Sequence, residues 1–157
     1  MIHIFQRHCN FSSNSIGKTR PGWFTREKCF RNLLNTLTHE VELTVVFDGQ
    51  PKDHFIDKYD GFNIVNFDGG NDGLSFLNLV NYVEGLNLPE DDIVYFLEDD
   101  YIHQDGWVSI LEEGFTYIGV DYITLYDHKD KYFLPMYENL QNKVIATPSV
   151  HWRTCPS

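Results

Sequence analysis

The chain has 157 residues, enough for one domain with a real core, and its 42% hydrophobic and 15% aromatic content excludes a disordered protein. A formal net charge of -11 argues against a nucleic-acid partner, because no basic patch exists to displace counterions from phosphates. No apolar run reaches membrane-spanning length, and Arg7 and His8 stand too early for a signal-peptide core, so a cytoplasmic location is expected. Cys9, Cys29 and Cys155 are odd in number and lack metal-type spacing, which reads as free thiols in a reducing compartment.

Taken in order, Ile2 to Phe5 is expected to be the first strand. Arg7-His8-Cys9-Asn10 follows, then a polar loop from Phe11 to Pro21 that holds Lys18 and Arg20. Thr25 can cap a helix with Glu27 in its first turn, and Phe30, Leu33, Leu34 and Leu37 form its apolar stripe. Val41 to Phe47 reads as the second strand, ending in Asp48-Gly49, and Pro51 to Tyr59 as a short helix. Phe62 to Phe67 is the third strand, ending in Asp68-Gly69-Gly70-Asn71. Phe76, Leu79, Val80 and Val83 then make a second helical stripe that closes near Gly85.

The next stretch organises the rest. Ile93-Val94-Tyr95-Phe96-Leu97 reads as a buried strand, and it stops at three consecutive carboxylates, Glu98-Asp99-Asp100. Like charges at the end of a buried strand repel one another and resist desolvation unless water or a cation reaches them. Carboxylates are the hard ligands of Mg2+ and Mn2+, and open α/β sheets bind ligands beyond the carboxyl ends of their strands. A solvated acidic turn is the plain alternative. Beyond it, Asp105 can cap a helix whose buried face is Trp107, Ile110, Leu111 and Ile118. Tyr122 to Tyr126 is expected as a further strand ending in Asp127-His128, and Lys129 to Asn142 as irregular chain. Lys143 to Thr147 reads as a last strand before Ser149-Val150-His151-Trp152-Arg153. With no terminal helix to close it, the domain spanning residues 1–157 reads as a fragment, or a minimal form, of something longer.

This alternation predicts an α/β protein with a largely parallel sheet, and it places Asp48, Asp68 and Glu98 to Asp100 along one sheet edge. Val45-Val46-Phe47-Asp48-Gly49, then Asn71 and Gly73 opening a helix, then Phe96-Leu97-Glu98-Asp99-Asp100, resembles the nucleotide-diphospho-sugar transferases of GT-A type, and most nearly the family 2-like glycosyltransferases. The resemblance implies a three-layer α/β/α sandwich and a metal-dependent glycosyltransferase, inverting, with a UDP-sugar as donor and a saccharide or other hydroxyl compound as acceptor. It implies that Asp48 holds the nucleotide base with help from Asp68, and that Glu98, Asp99 and Arg7 complete the donor nucleotide site. The family's Asp-x-Asp motif corresponds to Glu98-Asp99-Asp100, with Glu in the first place. Asp100 would then bind Mn2+ or Mg2+ bridging the diphosphate, with Glu98 at the ribose or a metal-bound water and His151 completing the coordination.

That chemistry needs these residue types. Cleaving a sugar-phosphate bond leaves a nucleoside diphosphate whose developing charge a divalent metal stabilises, and inversion needs a base for the acceptor hydroxyl. Asp127 is the candidate base; Asp130 and Glu138 are the other acids beyond Asp121, and none of the three sits in a pattern that matches the family's base. Arg153 or Lys131 can add positive charge near the diphosphate. Trp152, Tyr132, Phe133 and Tyr137 can stack on a sugar or simply pack. His128 can line an acceptor pocket or lie in a surface turn, His151 can be purely structural, and Asp99 can turn away to cap the next turn. His8 and His103 have no partner readable from sequence. Two other functions compete. A sugar-phosphate nucleotidyltransferase would carry a Gly-rich basic loop after the first strand, where this chain has Arg7-His8-Cys9-Asn10-Phe11 with no glycine. A non-catalytic nucleotide- or carbohydrate-binding module would bind donor and metal without releasing nucleoside diphosphate.

Overall fold

The computed structural model describes residues 1–12, 15–127, 129–139 and 141–154. The chain divides into two compact units, Met1–His103 and Gln104–Ser157.

The first unit is an α/β domain built on four parallel strands: β1 (Ile2–Cys9), β2 (Val41–Asp48), β3 (Asn63–Phe67) and β4 (Ile93–Glu98), in the order β3-β2-β1-β4. Strand β1 runs four residues beyond the expected Phe5, because Gln6 and His8 are buried polar residues that break the apolar run without breaking the ladder. Inner strands of a parallel sheet are covered on both faces, and the near-continuous burial of β1 and β2 follows. Strand β4 was expected to be buried. Of its residues only Leu97 is buried, and Phe96 is 40% exposed, because β4 forms an edge of this sheet.

Two helices complete the unit. Helix α1 (Arg26–Thr36) starts at Thr25, whose hydroxyl accepts the Lys28 N–H at 3.1 Å as expected. It buries Cys29, Phe30 and Leu33. Phe30 meets His8 of β1 edge-on at 5.5 Å and packs against Phe55, Tyr59 and Phe62. Phe55 opens a single 3-10 turn, Phe55–Lys58, within the expected Pro51–Tyr59 helix. Helix α2 (Asp72–Gly85) starts at Asn71, whose side chain accepts the Leu74 N–H at 2.9 Å. Leu79 packs with Phe5 and Val46, flanked by Tyr82, Val83 and Phe67. Successive strand residues point to opposite faces, so Phe5 and His8 mark the two sides of the sheet, an arrangement compatible with a three-layer sandwich.

The second unit holds helix α3 (Trp107–Ile118), the short α4 (Asp130–Phe133), a 3-10 turn Pro135–Tyr137, and an antiparallel pair, β5 (Val144–Ala146) and β6 (His151–Arg153). Trp107 and Leu111 are buried as expected, Ile110 and Ile118 only partly so, but the residue before the helix is Gly106 with a positive φ, and Asp105 does not cap it. The strand expected at Tyr122–Tyr126 is absent. Thr124 Oγ1 accepts the Tyr126 N–H at 3.2 Å, a local bond that takes a donor a ladder would need, and Tyr122 is 92% exposed. The strand expected at Lys143–Thr147 forms as β5, and its partner β6 was not foreseen. Gly114 leaves room for Ile123 and Trp152, whose side-chain atoms lie 2.7 Å from where a Cβ would stand. Trp152 also donates from Nε1 to Thr147 Oγ1 at 3.1 Å. It is therefore packing against α3 and not a free platform for a sugar. No described helix is long and apolar enough to cross a membrane.

Candidate functional site

The strand registers level the carboxyl ends of the sheet. Cys9 pairs with Asp48 and Asp48 with Phe67, while Arg7 pairs with Glu98. The chain leaves β1 for β2 and β3 on one side and returns to place β4 on the other, so the topological switch point lies between β1 and β4. Ligands of open α/β sheets bind at that place. A cleft of about 650 Å³ opens there, wholly within the first unit. Arg7, Asp48, Asp68, Glu98, Asp99 and Asp100 all line it, so six of the sequence candidates meet in one site.

One wall faces α2. Arg7 donates to the Asp72 carboxylate at 2.9 Å, to the Asp72 carbonyl at 3.2 Å and to Glu98 Oε1 at 3.0 Å, with its guanidinium over the Phe76 ring. Asp48 accepts the Gly69 N–H at 2.9 Å. At Gly69 a Cβ would lie 2.8 Å from the Ser75 backbone and 3.0 Å from Asp48 Oδ2, so glycine is what lets the β3–α2 connection close over the start of α2. Asp68, Gly70, Asn71 and Ser75 continue this wall.

The other wall faces α1 and is much drier. Arg26 donates to the Cys9 carbonyl and to Ser15 Oγ, both at 3.1 Å, and its Nε stands 3.2 Å from Asp99 Oδ2. Asp99 does not turn away to cap the chain. It is 9% exposed, and burial pushes its carboxyl up to about 6, a rise that Arg26 opposes and Asp100 and Glu98 reinforce. His8 has a side chain with no exposure and stands 3.8 Å from Asp99, too far for a hydrogen bond. Neither ring nitrogen of His8 has a hydrogen-bond partner among the described residues. Burial, then the neighbouring His54 and Arg26, lower His8 to about 3, so it is neutral in ordinary buffers. Burial likewise raises the thiols of Cys9 and Cys29, which are free. Asp100 is held by Arg20 at 2.7 Å.

Six carboxylates and three cations line the cleft. A diphosphate entering it alone would meet net repulsion, and a divalent cation would reduce that. Among the described residues no group of three or more His, Cys, Asp or Glu is placed to hold a metal by itself. Glu98 and Asp100, the sequence candidates for a metal, are each held by an arginine, Arg7 at 3.0 Å and Arg20 at 2.7 Å.

The remaining candidates lie in the second unit. Asp127 accepts from Arg153 at 3.0 Å and from the Tyr132 hydroxyl at 2.7 Å, and Arg153 stacks over the Tyr132 ring at 4.2 Å. Donation to Asp127 raises the Tyr132 phenol above its usual range. Arg153 and Tyr132 are therefore spoken for within this unit. His151 is exposed on β6. Lys131, Tyr132, Phe133 and Glu138 border a second, smaller cleft of about 290 Å³. His128 and Cys155 lie outside the described residues, as does part of the loop from Phe11 to Pro21.

Sequence reading gave His8 no partner, missed Arg26, and noted Arg20 only as a loop residue. No local signal marks them, because each acquires its meaning from a carboxylate far along the chain. His103 is buried too, bonded to Tyr95 at 3.0 Å and, through its backbone, to Asn32, which marks it as structural. No protein-family model matches the chain, and no characterised protein or solved structure matches it significantly.

Proposed function

We propose that the chain is a metal-dependent glycosyltransferase domain of GT-A type, a three-layer α/β/α sandwich that takes a nucleotide-diphosphate sugar, UDP-sugar first among them, as donor. One observation carries the reading: the acids that end β2, β3 and β4 gather in a single cleft at the switch point of a parallel sheet. In this reading Asp48 and Asp68 receive the nucleoside, and Arg7 contributes positive charge next to Glu98. Mn2+ or Mg2+, held by Asp100 and Glu98, would supply Lewis-acid stabilisation of the departing diphosphate. An inverting reaction would also need a base for the acceptor hydroxyl, the role for which the sequence offers Asp127.

Calorimetric titration of UDP with and without Mn2+, on wild type and Asp100→Ala, tests the donor site. Binding that requires Mn2+ and is lost in the variant supports it. Binding indifferent to both removes Asp100 from the mechanism.

A second reading, a non-catalytic nucleotide- or carbohydrate-binding module, is favoured by one feature. Each oxygen of Asp127 already accepts one hydrogen bond, from Arg153 or from Tyr132, within the second unit, as a structural acid would. Release of UDP from UDP-sugars, in the presence of a panel of hydroxyl acceptors, separates the two readings: a module binds and never turns over.

A further inference from the structure

His8 is the buried polar group that the donor-site reading leaves unused. Its side chain has no exposure, and neither ring nitrogen has a hydrogen-bond partner among the described residues. Buried polar groups in folded proteins are paired in the great majority of cases, and two orphaned nitrogens on one ring destabilise the empty protein. Packing does not call for an imidazole here. The ring meets Phe30 edge-on at 5.5 Å, and Phe55 and His54 edge-on at 5.9 Å each, contacts that an apolar ring makes as well. His54 Nδ1 is itself committed to the Ile56 N–H. His8 nonetheless lines the cleft, as does Asp99.

The chemistry of the missing partner follows from the surroundings of the ring. Burial, then His54 and Arg26, keep His8 neutral, so one nitrogen carries a proton and the other a bare lone pair. Nδ1 stands 3.8 Å from Asp99 Oδ2. An ionised carboxylate only accepts, so the proton belongs on Nδ1, and Nε2 is left as an acceptor in need of a donor. A fully ionised phosphate oxygen has no proton to give and is repelled by Asp99. A hydroxyl has one. The residues that follow His8 also line the cleft: Cys9, Asn10 and Ser12 are neutral, and Phe11 is 71% exposed. Neutral polar groups beside an uncovered aromatic face suit a ligand with a hydroxyl edge and a C–H face, and saccharides have both.

We propose that the α1 wall of the cleft is a saccharide subsite in which one ligand hydroxyl donates to Nε2 of His8. This goes beyond the donor-site reading and does not rest on it, since neither a metal nor a diphosphate takes part. A buried acceptor without a partner weakens the empty protein and favours the ligand that supplies the donor. Both nitrogens are shut from solvent in the empty cleft, so the ligand reaches them by moving a lining side chain aside, and association is slow for a small molecule.

The test uses the whole chain at pH 8, where His8 is neutral both folded and unfolded, and needs no metal. Histidine ring nitrogens are followed by two-bond proton–nitrogen NMR, with His8 assigned from its variants. Methyl glycosides of glucose, galactose, mannose and N-acetylglucosamine are added in turn, then uridine, then pyrophosphate. At least one glycoside is expected to shift the His8 Nε2 signal, and uridine and pyrophosphate to leave it in place. His8→Phe and His8→Leu fill the cage without nitrogens. Each is expected to bind that glycoside about tenfold or more weakly and to raise the midpoint of thermal unfolding by about 2–4 °C. His8→Gln, whose amide reaches the place of Nε2, should keep part of the affinity. Weaker binding with higher stability is the signature, because a structural histidine would lose stability in both apolar variants. The subsite is overturned if no glycoside moves His8, or if uridine or pyrophosphate moves it and no glycoside does. It is overturned equally if both apolar variants are less stable than wild type, or if they bind the glycoside as tightly. The titration of UDP with Mn2+ judges the donor site separately, and either conclusion can fail alone.

Discussion

The two walls of the cleft treat neighbouring carboxylates in opposite ways. Glu98 ends β4 on the side of α2, with its side chain 53% exposed and its arginine shared with Asp72. Asp99, one residue on, turns to the side of α1, with its side chain 12% exposed, beside a histidine with no exposure at all. The alternation of a strand end puts consecutive residues on opposite faces, and the two faces differ in solvent. The same carboxylate chemistry is therefore a screened surface charge on one wall and a partly desolvated one on the other. Function in the proposed sense needs both: an accessible acid for the cation, and a fixed, dry floor that holds it in place.

The largest consequence concerns Arg26. Removing the arginine of the dry wall deprives Asp99 of the guanidinium that stands 3.2 Å from it, and breaking a buried pair from one side is strongly destabilising. Because both groups keep some contact with water, Arg26→Ala is expected to lower unfolding stability by about 3 kcal/mol, the low end of the range for fully buried pairs. Urea denaturation followed by far-ultraviolet circular dichroism reads this directly. A loss under about 1 kcal/mol, no more than a surface pair gives, would erase the contrast between the walls.

The second consequence is in the pH dependence. His8 is lowered to about 3 in the folded protein from an ordinary 6.5. Between those values the unfolded chain binds the proton and the folded one does not, so His8 makes stability fall as pH drops from 6.5 towards 3. Asp99 has the opposite sign. Its folded value of about 6 lies above the ordinary 3.8, so its contribution is complete at low pH and is lost as pH rises through 6. Replacing His8 by glutamine deletes the first effect and keeps the second. The stability of His8→Gln relative to wild type is expected to improve by up to about 1.4 kcal/mol for each pH unit between 6 and 4. Denaturation curves at pH 4, 5 and 6 check the slope, and a gap that stays constant would mean that His8 is not held neutral by its wall.

The difference between the walls also explains what could be read beforehand. Four strands were legible as short apolar runs bounded by polar turns, and the start of α1 because Thr25 satisfies a backbone donor within one turn. The collection of Asp48, Asp68 and Glu98 at one edge followed from strand order alone. Helix α2 was harder. It is apolar nearly all round, from Leu74 and Phe76 to Val80 and Val83, so periodicity cannot say which face is buried, and Phe76 and Val80, expected inside, are 44% and 36% exposed. The strand expected at Tyr122–Tyr126 failed because a β-like composition is satisfied equally by a turn that Thr124 closes. The dry wall was invisible. His8, Arg26 and Asp99 come from three separated segments, and although Asp99 stood out in its acidic run, nothing local to His8 or Arg26 ties them to it.

A smaller effect is expected at Gly69, on the wet wall. A methyl group there meets the Ser75 backbone at 2.8 Å, and backbone cannot step aside as a long side chain can. Gly69→Ala should cost about 1–2 kcal/mol, in the usual range for overpacking, and should push the β3–α2 connection away from Asp48. Amide exchange at the Gly69 N–H, now bonded to Asp48, should speed up by about tenfold or more as that bond opens. Exchange as slow as in wild type would show that the connection tolerates the methyl group and that glycine is not what closes it.

The smallest effect belongs to Arg7, and it sets the wet wall against Arg26. Arg7 makes more hydrogen bonds than Arg26 within this site, yet Glu98 and Asp72 are both more than half exposed. Ion pairs to exposed carboxylates contribute little, because water already solvates the acids and salt screens what remains. Arg7→Ala is therefore expected to cost about 0.5–1 kcal/mol, part of it from contact with Phe76, and the loss should shrink in 0.5 M NaCl. The loss at Arg26 should be nearly independent of salt, since a desolvated pair is poorly screened. The two variants compared in low and high salt thus separate the walls without any ligand. A large, salt-insensitive loss at Arg7 would mean that the wet wall is as dry as its neighbour, and that Glu98 is less open to a cation than the donor-site reading requires.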